Sequence, residues 1–204
     1  DALGAHGLPL ALINCPPPNY TGGVPGFAAV AGSEARFRQD FKRTVRYAKA
    51  LNAQFVHVMA GAADDADARQ RFVDNLRWAA GEAPKQLLTI EPLNPKDMPG
   101  YFLNDYDQAC EILRDVDMPN VRLQFDAYHV GMIHGAVLPV WERCRDLTAH
   151  VQVAQLPLRS EPDDGKIDYP AFFAALDRDG YAGWVSGEYG PKTTTLAGLG
   201  WING

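Results

Sequence analysis

The sequence predicts an α/β protein of the (β/α)8 barrel class, the TIM barrel, in which parallel strands alternate with helices. Short apolar runs alternate with stretches of helical periodicity along the 204 residues. Four of these runs end in an oxygen-bearing side chain, at Glu91, Asp126, Gln152 and Glu188. Their spacing is roughly the 30 residues of one βα unit, and consecutive strand ends of a barrel meet at one rim. We therefore expect these four side chains to converge.

Six stretches have the composition of buried parallel strands. Each is a short apolar run that ends in a proline, a glycine or a polar residue. The stretches are residues 8–15, 53–59, 87–91, 121–126, 149–152 and 183–188. A loop rich in proline and glycine follows the first stretch at residues 16–23, and we expect it on the face that carries the strand ends.

Helical periodicity fills the intervals between these strands. After Ser33, a residue that favours the N-cap, apolar side chains recur three or four positions apart. Further helices are predicted at residues 67–80, after Asn104 as the N-cap, at residues 137–145, and at residues 169–176 with Gly180 as the C-terminal signal.

A doubly wound open sheet also satisfies this alternation. The sequence has no G-x-G-x-x-G or G-x-x-x-x-G-K-[ST] phosphate loop, which weakens that alternative. Six strands do not close a barrel of eight, and residues 1–7 resemble the end of a helix from an earlier unit. We therefore expect one domain over residues 1–204 whose first two βα units are missing from the chain as given.

Composition argues against several classes of protein. The formal charge of −6 disfavours a nucleic-acid partner, because that affinity rests on clustered Lys and Arg. No apolar run reaches the roughly 18 residues that a membrane span needs. Three widely separated cysteines indicate free thiols, so we expect a cytoplasmic protein without disulfides or a zinc site.

The sequence resembles the hydroxypyruvate isomerase family of the xylose isomerase-like barrels. The resemblance runs from about Leu8 to Trp201 and rests on a combination of short motifs. These are Ile-Glu-Pro-Leu-Asn at 90–94, Met-Pro-Gly-Tyr-Phe-Leu-Asn at 98–104, Gln-Phe-Asp-Ala-Tyr-His at 124–129, His-Val-Gln at 150–152, Gly-Glu-Tyr at 187–189 and Gly-Leu-Gly-Trp at 198–201.

The resemblance implies a metal-dependent isomerase. It implies a divalent cation, Mg²⁺ or Mn²⁺, held by Glu91, Asp126, Gln152 and Glu188, with Glu91 and Glu188 also acting as acid and base. Such enzymes interconvert hydroxypyruvate and tartronate semialdehyde through an enediolate, whose charge a hard cation stabilises. Three carboxylates and an amide suit these hard cations better than Zn²⁺.

The substrate carries a carboxylate, so we expect a cation in its pocket. Arg159 is the first candidate, because its planar fork binds carboxylates bidentately, and Lys192 is the second. His129 is a candidate for hydrogen bonding to a substrate oxygen. His57 and Asp97 are further candidates for the pocket, although His57 inside a strand also suits a purely structural role.

The sequence departs from the family pattern at two places beside the expected pocket. Ala154-Gln155 stands where the pattern has Ala-Asp, and Gly190 stands where a long polar side chain is frequent. Arg159 and Glu161-Pro162 match the pattern. These departures put the identity of the substrate in doubt more than the class of reaction.

Three other functions stay open at this point. The near alternative is a 2-oxo-tetronate isomerase or a ketose 3-epimerase of the same superfamily. An apurinic endonuclease is more distant, because such sites use several metals and many histidines, whereas this chain has five histidines. A barrel that only binds a small molecule is the third. We expect no nucleic-acid or membrane partner, and leave open a homo-oligomer formed through outer helices.

Overall fold

A computed structural model describes residues 2–15 and 25–203 of the chain. The loop predicted at residues 16–23 lies outside the described residues. The chain divides into two compact units, Asp1–Leu123 and Gln124–Gly204. Within the described part, no helix combines the length and the apolar character that crossing a bilayer requires. The assignment of residues 1–204 to one domain remains a prediction.

The first unit alternates helices with parallel strands. Its elements are α1 (Ala2–Ala5), β1 (Leu12–Asn14), α2 (Glu34–Leu51), β2 (Phe55–His57), α3 (Ala68–Glu82), β3 (Leu87–Ile90), α4 (Tyr106–Val116) and the start of β4 (Val121–Asp126). The strand order is β1-β2-β3-β4, and every pairing is parallel. In this register Asn14 lies opposite His57, and His57 lies opposite Thr89.

The second unit contains the end of β4 and continues the same alternation. Its further elements are α5 (Ala127–His134), α6 (Leu138–Cys144), a 3-10 turn (Arg145–Leu147), β5 (Thr148–Val153), α7 (Tyr169–Arg178), β6 (Val185–Gly187) and a second 3-10 segment (Ala197–Asn203). The strand order is β4-β5-β6, and β5 pairs with β6 in parallel. The six predicted strands are therefore confirmed, whereas α5 was not predicted.

The apolar face of α2 forms the core of the first unit together with α3. The predicted face is buried, and the rings of Phe37 and Phe41 lie edge-on to Trp78 with centroids 6.0 and 5.7 Å away. Such edge-to-face pairs add stability beyond the burial of their area. Ser33 occupies the N-cap position as predicted, but its side chain makes no capping hydrogen bond.

The prediction that Asn104 caps α4 is wrong, because the next residue does so. Asp105 has the extended backbone of an N-cap, with φ −145° and ψ 139°. Its Oδ1 accepts hydrogen bonds from the backbone N–H groups of Asp107 and Gln108, at 2.8 and 3.0 Å. Asn104 instead donates from its amide to the carbonyl of Tyr101. Both residue types favour caps, so composition alone could not choose between neighbours.

Trp141 lies at the centre of the core of the second unit. Its ring is edge-on to Phe125 and Phe172, with centroids 5.4 and 5.8 Å away. Its indole N–H donates to Asp179 Oδ2 at 2.9 Å, so the buried polar atom is satisfied. Hydrogen bonds from Arg178 and Trp141 lower the pKa of Asp179 to about 2.

Gly61 is a glycine that the loop after β2 requires. Its φ of +87° is unfavourable for residues with a Cβ, and an added Cβ would lie 2.5 Å from the carbonyl oxygen of Gly26. A backbone atom cannot be displaced cheaply, so the position tolerates no larger residue without rearrangement. Gly81 in α3 differs, since an added Cβ would meet no atom within 4 Å.

Candidate active site

Asp126 ends β4 and begins α5, and its two carboxylate oxygens have different partners. Oδ1 accepts a hydrogen bond from the backbone N–H of Tyr128 at 2.8 Å, which makes the residue the N-cap of α5. Oδ2 accepts from Arg159 Nη2 at 3.1 Å and lies 3.7 Å from His129 Nε2. Burial raises the pKa of Asp126, and the guanidinium of Arg159 opposes that effect.

Gln152 lies on β5 and connects two strand ends of the second unit. Its Oε1 accepts a hydrogen bond from Gln124 Nε2 at 2.6 Å, and its Nε2 donates to Glu188 Oε2 at 2.7 Å. Sequence analysis missed Gln124. The signal that could have found it is the period of two along β4, which puts residues 124 and 126 on the same face of the strand.

Glu188 follows β6 directly and is the most accessible of the predicted ligands in the second unit. Its side chain is 51% exposed, and its Oε2 accepts from both Gln152 and Arg159. Partial burial raises the pKa of Glu188, Arg159 lowers it, and the nearby Asp126 raises it further, with a net increase. A carboxylate with a raised pKa is a stronger base at neutral pH.

Arg159 brings these groups together. Its Nη2 donates to Asp126 Oδ2 at 3.1 Å and to Glu188 Oε2 at 2.9 Å, and its Nε donates to the carbonyl of Glu188 at 3.3 Å. The guanidinium also lies over the ring of Tyr128, 5.1 Å from the centroid. The backbone of Arg159 has a φ of +52°, which is uncommon outside glycine. The structure thus brings the predicted carboxylate-binding arginine to two predicted metal ligands.

Gln155, one of the departures from the family pattern, organises the loop that carries Arg159. Its Oε1 accepts from the N–H groups of Leu156 and Ile167, and its Nε2 donates to the carbonyls of Asp163 and Ile167. An aspartate could not supply the two donor contacts. The departure therefore has a structural role in this chain.

In the first unit, Glu91 follows β3 and lies beside His57. Glu91 is buried, and its Oε2 lies 3.7 Å from His57 Nδ1. The same ring nitrogen is 3.1 Å from Asn14 Oδ1, because Asn14 and His57 are register partners on β1 and β2. Asn14 was not predicted, although its place at a strand end gave the same signal as the four predicted ligands.

Asp97 and Lys192 have other partners. The amide of Asn94 donates to Asp97 Oδ2 at 2.9 Å, and the N–H of Asp97 donates to Asn94 Oδ1 at 3.0 Å, which closes a turn. Lys192 is 55% exposed, and its ammonium donates to Asp163 Oδ2 at 2.6 Å. This contact raises the pKa of Lys192. Neither contact involves the candidate site, so the substrate roles of both residues stay predictions.

A cavity of about 880 Å³ lies elsewhere in the second unit, between α7 and the last 3-10 segment. Glu161, Phe173, Lys192 and Trp201 are among its lining residues. Asp126, Gln152 and Glu188 are not among its described lining residues, so it is separate from the carboxylate group.

The carboxylates of the second unit fit a hard cation. Asp126 and Glu188 direct one oxygen each to the same guanidinium nitrogen, so they already converge on a positive charge. Carboxylate and amide oxygens are the ligands that Mg²⁺ and Mn²⁺ prefer. The group could therefore hold a metal ion. All three cysteines are free and buried, and none lies among these residues.

Parallel strands that end in acidic side chains are typical of α/β-barrel enzymes, and comparison with known proteins supports that class. The family described as xylose isomerase-like TIM barrel matches residues 1–204. The chain belongs to this family, which confirms the predicted fold class.

Two relatives and one solved structure refine the assignment. A 2-oxo-tetronate isomerase from Cupriavidus necator is 42% identical over 98% of this chain and 79% of its own length. A hydroxypyruvate isomerase from Escherichia coli is 34% identical over 98% of this chain and 80% of its own length. A crystal structure described as AP endonuclease, family 2, from Brucella melitensis superposes with a TM-score of 0.94 at 37% identity, covering 98% of this chain and 80% of that one. The predicted resemblance is confirmed, and the chain is an enzyme of the isomerase class.

Proposed function

We propose that this enzyme interconverts hydroxypyruvate and tartronate semialdehyde through an enediolate, with the help of one divalent cation. The observation that carries the proposal is the convergence of one oxygen each from Asp126 and Glu188 on the guanidinium of Arg159. It supplies hard oxygen ligands and a carboxylate-binding cation in one place. The isomerases among the relatives support the same class of reaction.

The proposed metal ligands are Glu91, Asp126, Gln152 and Glu188. When bound, Mg²⁺ or Mn²⁺ would stabilise the negative charge of the enediolate. Glu91 is included in this set because it follows the end of β3 and because it matches the family pattern. Within the first unit, the imidazole of His57 lies beside the carboxylate of Glu91, with Nδ1 3.7 Å from Oε2.

The proton transfers are assigned to Glu91 and Glu188. One carboxylate removes a proton from C3 of hydroxypyruvate, and the other delivers a proton to C2. The O3–H proton moves to O2 within the enediolate before C2 is protonated, so that the hydroxyl and the carbonyl exchange places. His129 is in our proposal the relay for this transfer between the two oxygens, and Arg159 binds the substrate carboxylate. Asp97 and Lys192 remain predicted pocket residues without a step of their own.

The experiment follows the reaction by proton NMR in D₂O, with hydroxypyruvate and Mg²⁺ or Mn²⁺. We expect metal-dependent exchange at C3 and formation of tartronate semialdehyde, both abolished by EDTA. Because a positioned acid or base contributes about 10²–10⁴-fold, Glu91→Gln and Glu188→Gln should each lose at least that factor while circular dichroism is unchanged. The matched control is Glu142→Gln on the exposed face of α6. Near-full activity of either site variant would refute the proposed mechanism.

A second candidate is the isomerisation of a 2-oxo-tetronate, which is one hydroxymethyl group longer. The 42% identity to the Cupriavidus necator enzyme favours it. The two candidates share the enediolate chemistry and differ in the length of the pocket. Comparing kcat/KM for the three-carbon and four-carbon acids separates them, and exchange without product on hydroxypyruvate would favour the longer acid. A ketose 3-epimerase would instead act on sugars without a carboxylate.

Cleavage of DNA at abasic sites is the remaining alternative, since the Brucella melitensis structure is described as an AP endonuclease. The net charge of −6 weighs against it, because binding a phosphate backbone depends on clustered Lys and Arg. An abasic-site oligonucleotide incubated with the metal-loaded enzyme is the direct test. Incision at that site would favour the endonuclease.

A further inference from the structure

The guanidinium of Arg159 uses the same carboxylate oxygens that the proposed metal site requires. Its Nη2 is within hydrogen-bond distance of Asp126 Oδ2 and of Glu188 Oε2. The other oxygen of Asp126 caps α5 and is already engaged. A divalent cation bound to Asp126 through its remaining oxygen and to Glu188 would occupy the space where Nη2 lies. Two positive groups cannot share that space, so one must leave.

The remaining contacts of Arg159 keep its side chain near the site after such a move. The backbone N–H of Gly190 donates to the carbonyl of Arg159 at 2.9 Å, which anchors the main chain. The ring of Tyr128 lies beneath the guanidinium and supports it without using its N–H groups. The side chain can therefore change hydrogen-bond partners while it stays beside the carboxylates.

A carboxylate ligand is the partner that suits a displaced guanidinium. It offers two acceptor oxygens to the planar fork of Arg159, whereas Asp126 and Glu188 offer it one side-chain oxygen each. A substrate carboxylate therefore draws Arg159 away from the two protein carboxylates. The oxygens that this releases become available to the cation.

We propose that Arg159 competes with the divalent cation for Asp126 and Glu188, and that a bound carboxylate relieves this competition. This inference rests on the proposed function, because it takes Asp126 and Glu188 as metal ligands. It makes metal and carboxylate bind with positive coupling. By linkage each must strengthen the other by the same factor, about 5–150-fold in typical proteins.

The test measures the affinity of Mn²⁺ by electron paramagnetic resonance, with and without glycolate. Glycolate carries the hydroxyl and the carboxylate of the substrate but has no carbonyl to isomerise. In the wild-type enzyme we expect glycolate to tighten Mn²⁺ binding by about 5-fold or more. In Arg159→Met we expect tighter Mn²⁺ binding without glycolate, and a coupling factor near one. The exposed Arg114→Met on α4 is the matched control and should behave as wild type.

Each outcome bears on the proposal. Weaker Mn²⁺ binding in Arg159→Met, or no effect of glycolate on the wild-type enzyme, would overturn it. The wild-type comparison needs no variant, so a folding defect in Arg159→Met leaves the test decisive. Metal-dependent turnover without coupling would leave the proposed function intact and reject only the competition. No Mn²⁺ binding in the wild-type enzyme would reject both.

Discussion

Replacing Tyr169 by Phe tests how the end of β5 is held. The hydroxyl of Tyr169 donates to the carbonyl of Ala154 at 2.6 Å and accepts from its N–H at 3.0 Å. Phe keeps the buried ring, which packs 5.5 Å from Phe173, and removes only these two hydrogen bonds. Each orphaned buried group costs about 1–3 kcal/mol, so we expect a loss of about 2–4 kcal/mol in the free energy of unfolding.

Urea denaturation followed by tryptophan fluorescence measures this loss. The midpoint should fall while the slope of the transition stays constant, because the exposed area on unfolding does not change. Tyr47→Phe is the matched control, since the side chain of Tyr47 on α2 is 60% exposed, and its effect should stay within about 0.5 kcal/mol. A loss below about 0.5 kcal/mol in Tyr169→Phe would show that water or a rearranged loop satisfies Ala154 equally well.

Three further predictions concern stability and thiol reactivity. Gly61→Ala should destabilise the protein by more than about 1 kcal/mol, because the position has a positive φ and the added Cβ would clash with the backbone. Gly81→Ala should stabilise the protein by up to about 1 kcal/mol, because alanine favours the helix and meets no neighbour. Calorimetry measures the change in stability of both variants. In the folded protein Asp179 has a pKa of about 2, so below about pH 4 the unfolded protein binds more protons at this residue than the folded protein does. The stabilisation from Asp179 is therefore lost in acid, and the difference in Tm between wild type and Asp179→Asn should shrink as the pH falls from 4 to 2. Burial raises the pKa of Cys15 to about 12, so iodoacetamide at pH 8 should alkylate this thiol only after the protein unfolds. Mass spectrometry of the treated native protein is the measurement, and alkylated Cys15 would contradict the prediction.

The strand ends were the most predictable feature of this chain. The short apolar runs located all six strands, and the polar residue at their ends marked Glu91, Asp126 and Glu188. These signals are local, because a buried parallel strand must be apolar throughout and must stop where the chain leaves the sheet. Position along the strand was therefore enough to find candidate residues, while their roles remain predictions.

Features that depend on three-dimensional neighbours were not predictable in this way. Helix α5 begins directly at Asp126 without a loop, so no turn signal separated it from β4. Lys192 is a predicted substrate-binding residue, and nothing in the sequence indicated that its ammonium would donate to Asp163 from another loop. Gln155 gave no sign that it would satisfy the backbone of residues 156–167. Such contacts depend on how the backbone folds around each side chain, and composition contains no information about that.

The shared use of Asp126 restricts how this protein can change over generations. One oxygen starts a helix and the other accepts from Arg159, so a single side chain serves both the scaffold and the proposed metal site. Asparagine could keep the cap but would remove the charge, and glutamate could keep the charge but would reach past the backbone N–H of Tyr128. Of these two substitutions, only asparagine would keep the start of α5 while giving up the charge that the proposed reaction needs. A lineage that replaced Asp126 by a residue without a side-chain acceptor would lose the N-cap of α5 together with that charge.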